Sequence, residues 1–221
     1  RVPQVLSHCH ITDESSDITA GQSELDVTAQ MKSLQDALNR RGESADVVRD
    51  GAGKIKVHYR VSRNPLVSII IPTKDRWDML RQCIKSVESV TRYPSYEIVV
   101  VDNGSRTAKA KEYLSTLSKK WIIHRFPGPF NFSEINNYGA SKANGEFLLF
   151  LNDDTQVIAP EWMSAMVAQA QRTGVGAVGA KLLYPSGMIQ HAGVVLGIRG
   201  VAGHAFRHLR GDTQHYRGLP H

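Results

Sequence analysis

A mostly parallel, doubly wound α/β sheet is the fold the sequence predicts, and three observations predict it. From Leu66 onward, short apolar runs alternate with segments of helical periodicity, the pattern of successive βαβ units. The run "LVSIII" is continuous and β-branched, as in a parallel strand buried on both faces. Three runs then end in polar residues, "IIIPTKDR", "VVVDNGS" and "LLFLNDDT", which loads one edge of the sheet with chemistry.

The elements follow in order. Residues 1–65 read as a small α+β appendage or linker. "RVPQVLSHCH" suits a short strand and "ESSDITAGQS" a polar linker. Glu24 to Arg41 then carries Leu25, Met31, Leu34 and Leu38 at helical spacing until Gly42 stops the helix. "ADVVRDGAGKIKVHYRV" alternates and turns at Asp50 to Gly53, as a hairpin does. His8, Cys9 and His10 are metal-ligand types, but three adjacent ones without a second cluster make a poor site.

Residues 66–221 form the main domain. After "LVSIII", Asp75 to Thr91 places Leu80, Cys83, Ile84, Val87 and Val90 on one helical face. "YEIVVVD" is the next strand, followed by a helix near Thr107 to Ser118, the strand "WIIHRF", a helix near Ser133 to Ala143 and the buried strand "EFLLFL". Pro160 can start a helix through Gln171. "VGAVGAKLLYPSGMIQHAGVVLG" reads as two strands around a Pro-Ser-Gly turn, with "VGAVGA" in the first.

Composition bounds the function. With 221 residues, 41% hydrophobic and 22% charged, the chain can bury a sizeable core. No apolar run approaches the roughly 20 residues of a membrane span. The chain starts at Arg1 without a signal-peptide pattern, and the expectation is a piece of a longer polypeptide. Two cysteines, Cys9 and Cys83, do not make a disulfide framework, so a cytoplasmic setting is expected. The net charge is +6, and after Asp154 only Glu161 and Asp212 are acidic, against Arg172, Lys181, Arg199, Arg207, Arg210 and Arg217. An acidic ligand, or an acidic neighbour lost to truncation, accounts for that excess equally well. Aromatic platforms beside the basic residues are scarce, which argues against nucleic acid.

The loaded sheet edge collects Thr73, Asp75, Arg76, Asp102, Asn103, Asp153 and Asp154. The turn after the first strand, Pro72 to Arg76, lacks the glycines that close backbone amides on a diphosphate, or on the triphosphate of a nucleotidyltransferase. Carboxylates beside phosphate demand a cation, and Mg²⁺ or Mn²⁺ sits on one or two carboxylates plus substrate phosphates. A strand ending in "NDD" can deliver such a ligand. Because successive strand residues point to opposite faces, Asp153 and Asp154 are expected to differ in role unless the chain has already turned.

"VSIIIPTKDRWDMLRQCIKSV", "YEIVVVDNGS", "NNYGASKANGEFLLFLNDD" and "GAVGAKLLYPSGMIQHAGVVLG", in this order, resemble family 2 glycosyltransferases of the GT-A fold, especially bacterial enzymes of O-antigen and related surface polysaccharides. The likeness spans about residues 66–208. It implies inverting hexosyl or deoxyhexosyl transfer from a nucleotide-diphosphate sugar, with Mn²⁺ or Mg²⁺, to a lipid-linked or glycan acceptor. It also implies flanking domains of the same polypeptide and a peripheral place at the inner membrane. "NDD" matches the family's DxD-type motif, with Asp154 as metal ligand and Asp153 on the ribose or sugar. Pro72, Thr73 and Asp75 match the loop around the nucleoside, and Asp102 and Asn103 the pair that reads base or ribose. Many relatives carry Asp-Asp there, and an amide in place of the second carboxylate leaves the base open. Asn137 matches an asparagine before the "GE" strand, and Asn131 lies where some relatives place a basic residue near the diphosphate.

Family members supply the general base well downstream of the metal motif. Here Glu161 suits a helix first turn, and Asp212 is the remaining candidate. The expectation is a chain that stops before the acceptor-binding half, binding donor and metal but transferring slowly. A catalytically idle binding or docking domain of a larger enzyme is the alternative. His191 and His204 read as packed histidines, Lys181 equally as a phosphate-reaching group or as surface charge, and Trp77 and Trp162 as packing residues.

Overall fold

The computed structural model describes residues 24–51, 53–197, 201–204 and 206–211. Contacts divide the chain into two units, Arg1–Arg60 and Val61–His221. His8, Cys9 and His10 lie outside the described residues, as does Asp212.

In the first unit, helix α1 (Glu24–Arg40) precedes an antiparallel hairpin of β1 (Ala45–Arg49) and β2 (Ile55–Tyr59). Gly42 ends the helix in the left-handed region at φ +66°, where glycine carries no steric penalty. The inward stripe runs Val27, Met31, Gln35 and Leu38, whereas Leu34, expected inside, is exposed. Gln35 belongs to the stripe because its amide meets the hairpin edge. Its Nε2 donates to the Ala45 carbonyl at 3.0 Å, and its Oε1 accepts the Val47 N–H at 3.0 Å.

The second unit is built on β3 (Val67–Thr73), β4 (Tyr96–Asp102), β5 (Ile122–Arg125) and β6 (Phe147–Phe150), all parallel, in the order β5-β4-β3-β6. Strand β3 is the centre, paired on both sides, so its β-branched run is buried as the sequence predicts. Ile69 and Ile71 face one side with Ile98 and Val100, and Ile70 faces the other with Val99 and Val101. Each such fully buried side chain contributes about 2 kcal/mol through burial.

Helices α2 (Trp77–Val90), α3 (Ala108–Leu117) and α5 (Trp162–Ala170) join the first face. Leu80, Cys83, Ile84 and Val87 form the inward stripe of α2. Helix α4 (Phe132–Ala140) covers the second face through Ile135. The chain steps outward from β3 to β5, then crosses by α4 to the far side of β3. Right-handed crossovers place α2 and α4 on opposite faces for that reason.

Two expectations change. Strand β6 lies at the sheet edge, and only its Leu149 side is buried, with Leu148 and Phe150 exposed. Residues 175–180, "VGAVGA", form no strand, since two glycines among six small residues leave little side chain to pack. Antiparallel pairing begins later, between β7 (Leu182–Leu183) and β8 (Ile189–His191), then between β9 (Val194–Leu196) and β10 (Ala202–His204).

Gly145, just before β6, lies so close to β3 that an added Cβ would stand 2.7 Å from the Ser68 nitrogen and 2.8 Å from the Leu66 carbonyl oxygen. Backbone cannot yield as a side chain does. Gly145→Ala is therefore expected to lower unfolding free energy by about 1–3 kcal/mol, measured by urea titration, while Gly176→Ala, with nothing within 4 Å of its added Cβ, should change it by less than about 0.5 kcal/mol.

Candidate functional site at the carboxyl edge of the sheet

Strand order reverses at β3, which makes the carboxyl ends of β3 and β6 the switch point where open α/β sheets bind ligands. Strand β3 ends on Thr73. Strand β6 runs through Leu151 and Asn152 into a turn, closed by the Thr155 N–H on the Asn152 carbonyl at 3.2 Å. That turn carries Asp153 and Asp154. The Thr73 hydroxyl donates to Asp153 Oδ2 at 2.8 Å, binding the two strand ends together.

The two carboxylates differ by burial. The Asp153 side chain is 9% exposed and that of Asp154 50%. The Arg76 guanidinium spans both, with nitrogens 3.5 Å from each carboxylate. Burial pushes Asp153 above the usual carboxylate range, the Thr73 hydroxyl and Arg76 oppose that push, and Asp154 adds to it. Cys83 lies beneath, its Sγ 3.6 Å from the Asn152 carbonyl. Burial first, and then the charges of Asp153 and Asp154, push its thiol up to about 12, so it is a neutral packing group.

Asp75 ties the loop after β3 to the entrance of α3. Its backbone lies in the left-handed region at φ +57°, a conformation Asp tolerates better than most residues. Its N–H donates to Ser105 Oγ at 2.9 Å, and its Oδ1 accepts the N–H groups of Arg106 at 2.7 Å and Thr107 at 2.9 Å. Those backbone bonds, from Thr107 and then Arg106, hold its carboxyl below the usual range. Asp102 is buried and accepts the Ser105 N–H at 2.9 Å. Ser105, absent from the sequence-based set, thus clamps the loops after β3 and β4 to each other. The serine three residues after Asp102 was the available signal for such an Asx turn.

The asparagines separate. Asn103 is buried, and its Nδ2 donates to the Gly128 carbonyl at 3.1 Å. Asn131 caps α4: its Oδ1 accepts the N–H groups of Ser133 at 3.1 Å and Glu134 at 3.3 Å, and its Nδ2 reaches Glu134 Oε1 at 3.0 Å. Asn137 is exposed on α4, while its neighbour Asn136 is buried with Nδ2 on the Phe132 carbonyl at 2.8 Å. Sequence reasoning missed Asn136 because the helix phase there is one residue from the motif match. Pro72 is partly buried within β3.

Elsewhere, Nδ1 of His191 and Nδ1 of His204 lie 2.9 Å apart, so these two form a pair rather than packing singly. Lys181 donates to the Gly211 carbonyl at 3.3 Å. Trp162 donates to Thr91 Oγ1 at 2.9 Å, whereas Trp77 carries the cations of Arg81 and Lys109 over its ring at 5.4 and 5.7 Å.

Among the described residues no group of three or more His, Cys, Asp or Glu side chains could hold a metal alone. The donor chemistry of the Asp153–Asp154 turn fits a hard divalent cation that takes one or two carboxylates and completes its shell with phosphate oxygens. Asp154 is the more available of the two, because Asp153 is engaged by Thr73.

Comparison with known proteins agrees with this architecture. Residues 68–217 match the model of Glycosyl transferase family 2. The O-antigen biosynthesis protein RfbC of Myxococcus xanthus is 45% identical over 186 residues, covering 82% of this chain and 14% of that protein. An uncharacterised protein of Sinorhizobium fredii is 45% identical over 192 residues, covering 83% of this chain and 21% of its own. The chain thus spans a small part of the length of the curated relatives it matches. Among solved structures, a mannosyltransferase from Pyrobaculum calidifontis, in complex with GDP-Man and Mn²⁺, aligns with TM-score 0.50 at 18% identity, over 73% of this chain and 47% of that one. That likeness is one of fold, the GT-A type of α/β architecture.

The raised titration of Asp153 sets a sign. Its carboxyl holds a proton more tightly folded than unfolded, so ionising it costs stability, and the cost is full above its folded pKa and absent below the ordinary carboxylate value of about 4. Asp153→Asn is expected to raise Tm at pH 7.5 relative to wild type, with the gain vanishing as pH falls toward about 4. Exposed Asp154→Asn should shift stability by less than about 0.5 kcal/mol; a Tm loss at pH 7.5 for the Asp153 variant would contradict the assignment.

Proposed function

The chain belongs to glycosyl transferase family 2, and on that premise we propose that it binds a nucleotide-diphosphate sugar with Mn²⁺ or Mg²⁺ and serves inverting transfer in the assembly of an O-antigen-like bacterial surface polysaccharide. The observation that carries the reading is the Thr73–Asp153 hydrogen bond at the switch point, which leaves the Asp154 carboxylate exposed beside Arg76.

In this reading Asp154 is the metal ligand and Asp153 accepts from ribose or sugar hydroxyls. When bound, the cation neutralises diphosphate charge and stabilises the departing nucleotide. Arg76 supplies a second positive charge and exchanges its carboxylate contacts for phosphate ones. Pro72 and Thr73 line the nucleoside side, with Asp102 and Asn103 at the end of the neighbouring strand. Asp75 belongs to the same wall, and its bonds to Ser105, Arg106 and Thr107 hold it in shape. Asn131 acts through the position of α4, and Asn137, on the outer face, has the least support.

The acceptor would be a lipid-linked or glycan hydroxyl, reached at the cytoplasmic side of the inner membrane through that acceptor or through flanking domains. Among the described residues no helix is long and apolar enough to cross a membrane. A binding domain without turnover is the second reading. It is favoured by Glu161, the one carboxylate after Asp154 among the described residues, which is exposed and paired with Arg92 at 3.7 Å.

Calorimetric titration with UDP-, GDP- and dTDP-sugars, with and without Mn²⁺, tests the site. At least one donor should bind more tightly with Mn²⁺, and Asp154→Ala should weaken that binding by about tenfold or more, which is 1.4 kcal/mol. Binding that ignores both the metal and the substitution sinks the proposal. Product formation from an added acceptor separates transfer from binding alone.

A further inference from the structure

A neutral imidazole offers one lone pair and one N–H, so two imidazoles that meet nitrogen to nitrogen hold a single proton between them. His191, at the end of β8, and His204, at the end of β10, meet in this way. Their Nδ1 atoms lie 2.9 Å apart, and their rings stand edge to face at 83° with centroids 5.1 Å apart. Neither ring has another hydrogen-bond or ion-pair partner among the described residues. The contact is at the surface, with His204 exposed and His191 partly buried.

The pair also joins what the backbone leaves separate. Strand β8 pairs with β7 and strand β10 with β9, in two antiparallel sheets with no ladder between them. Only Ala192 and Gly193 separate β8 from β9, and Gly193 lies at φ +109°, a backbone conformation open mainly to glycine. Side chains from two consecutive hairpins thus converge on one point, and the groups that converge are metal ligands.

We propose that His191 and His204 form a site for a Zn²⁺-like transition-metal ion, bound by the two Nδ1 atoms in place of the proton they share. Zinc–imidazole bonds run about 2.0–2.1 Å, so two ligands at a right angle stand about 2.9 Å apart and two at the tetrahedral angle about 3.3 Å. The pair is already at the first separation. Its lone pairs face each other, so a ring swings outward to aim both at the ion, and exposed His204 has room for that turn. Imidazole suits Zn²⁺, Cu²⁺ and Ni²⁺, whereas the Mg²⁺ or Mn²⁺ of the Asp154 reading takes oxygen ligands. No carboxylate or thiol joins the two imidazoles among the described residues, so water or a solute anion completes the shell. Two protein ligands hold an ion less firmly than the three or four of catalytic and structural zinc sites. Once bound, the ion fastens the β9–β10 hairpin to the β7–β8 hairpin.

The test follows the assigned imidazole ¹⁵N resonances of His191 and His204 in the 221-residue chain while Zn²⁺ is added over excess Mg²⁺. Signals assigned to single residues keep zinc held at His8, Cys9 or His10 from mimicking the result. Both Nδ1 signals should move together with zinc and ignore Mg²⁺, and amide exchange in β9 and β10 should slow. His204→Ala should weaken zinc binding at His191 at least by the roughly tenfold that loss of an outer-shell partner costs, and should abolish the slowing of exchange. Should that variant fail to fold, the wild-type signals still decide. Nδ1 signals that stay still, that respond equally to Mg²⁺, or of which only one moves overturn the site. Unchanged exchange while both signals move overturns the fastening. Donor binding at Asp154 has no part in any of these readouts, so failure there leaves this test intact.

Discussion

The hydrogen bond between Thr73 and Asp153 is the constraint on which the site depends. It joins the carboxyl ends of the central strand and the edge strand, and it holds a carboxylate in a largely buried place where burial opposes ionisation. Without the hydroxyl and Arg76, that carboxylate would have little to offset its desolvation. The position of Asp154 follows from it. Once Asp153 is held inward, the turn closed at Thr155 leaves the next side chain exposed beside the guanidinium. One residue of the pair is fixed so that the other can be presented.

The rest of the edge is arranged to keep that geometry. Asp75 adopts a left-handed backbone and gives its carboxylate to two N–H groups at the entrance of α3. Ser105 links it back to Asp102. These bonds lock the loops after β3 and β4 together, so Thr73 and Asp102 are presented by one clamped wall. Asp75 and Asp102 thus both take part in a loop clasp.

Much of the sheet was legible because strand burial and helix period leave strong marks. "YEIVVVD" coincides with β4, and the stripe of α2 was readable from Leu80 to Val87. Errors came where one residue decides the outcome. Leu34 lost its inward place to Gln35 because a hairpin edge needed an amide, a demand made by atoms far along the chain. Valines in "VGAVGA" suggested a strand, but strands require partners that propensity does not reveal. Strand β6 looked buried because its residues are all apolar, and only the sheet order shows that it is an edge. At the site, the carboxylates were visible in sequence while their division into clasp, buried and exposed groups was not, because that division rests on backbone N–H groups and on the Thr73 hydroxyl from another strand.

The two faces of the sheet meet the edge with different chemistry. On the side of α2 and α3, Thr73, Asp102 and Asp153 carry the alternation of Ile69, Ile71 and Val100, and charges gather with Arg76 nearby. On the α4 side, Asn103 and Asn136 are neutral, and hydrogen bonds to the loop and to α4 hold their amides in place. Alternation along each parallel strand sends successive residues to opposite faces. Asp102 and Asn103, adjacent in sequence, can therefore serve different environments without any added loop.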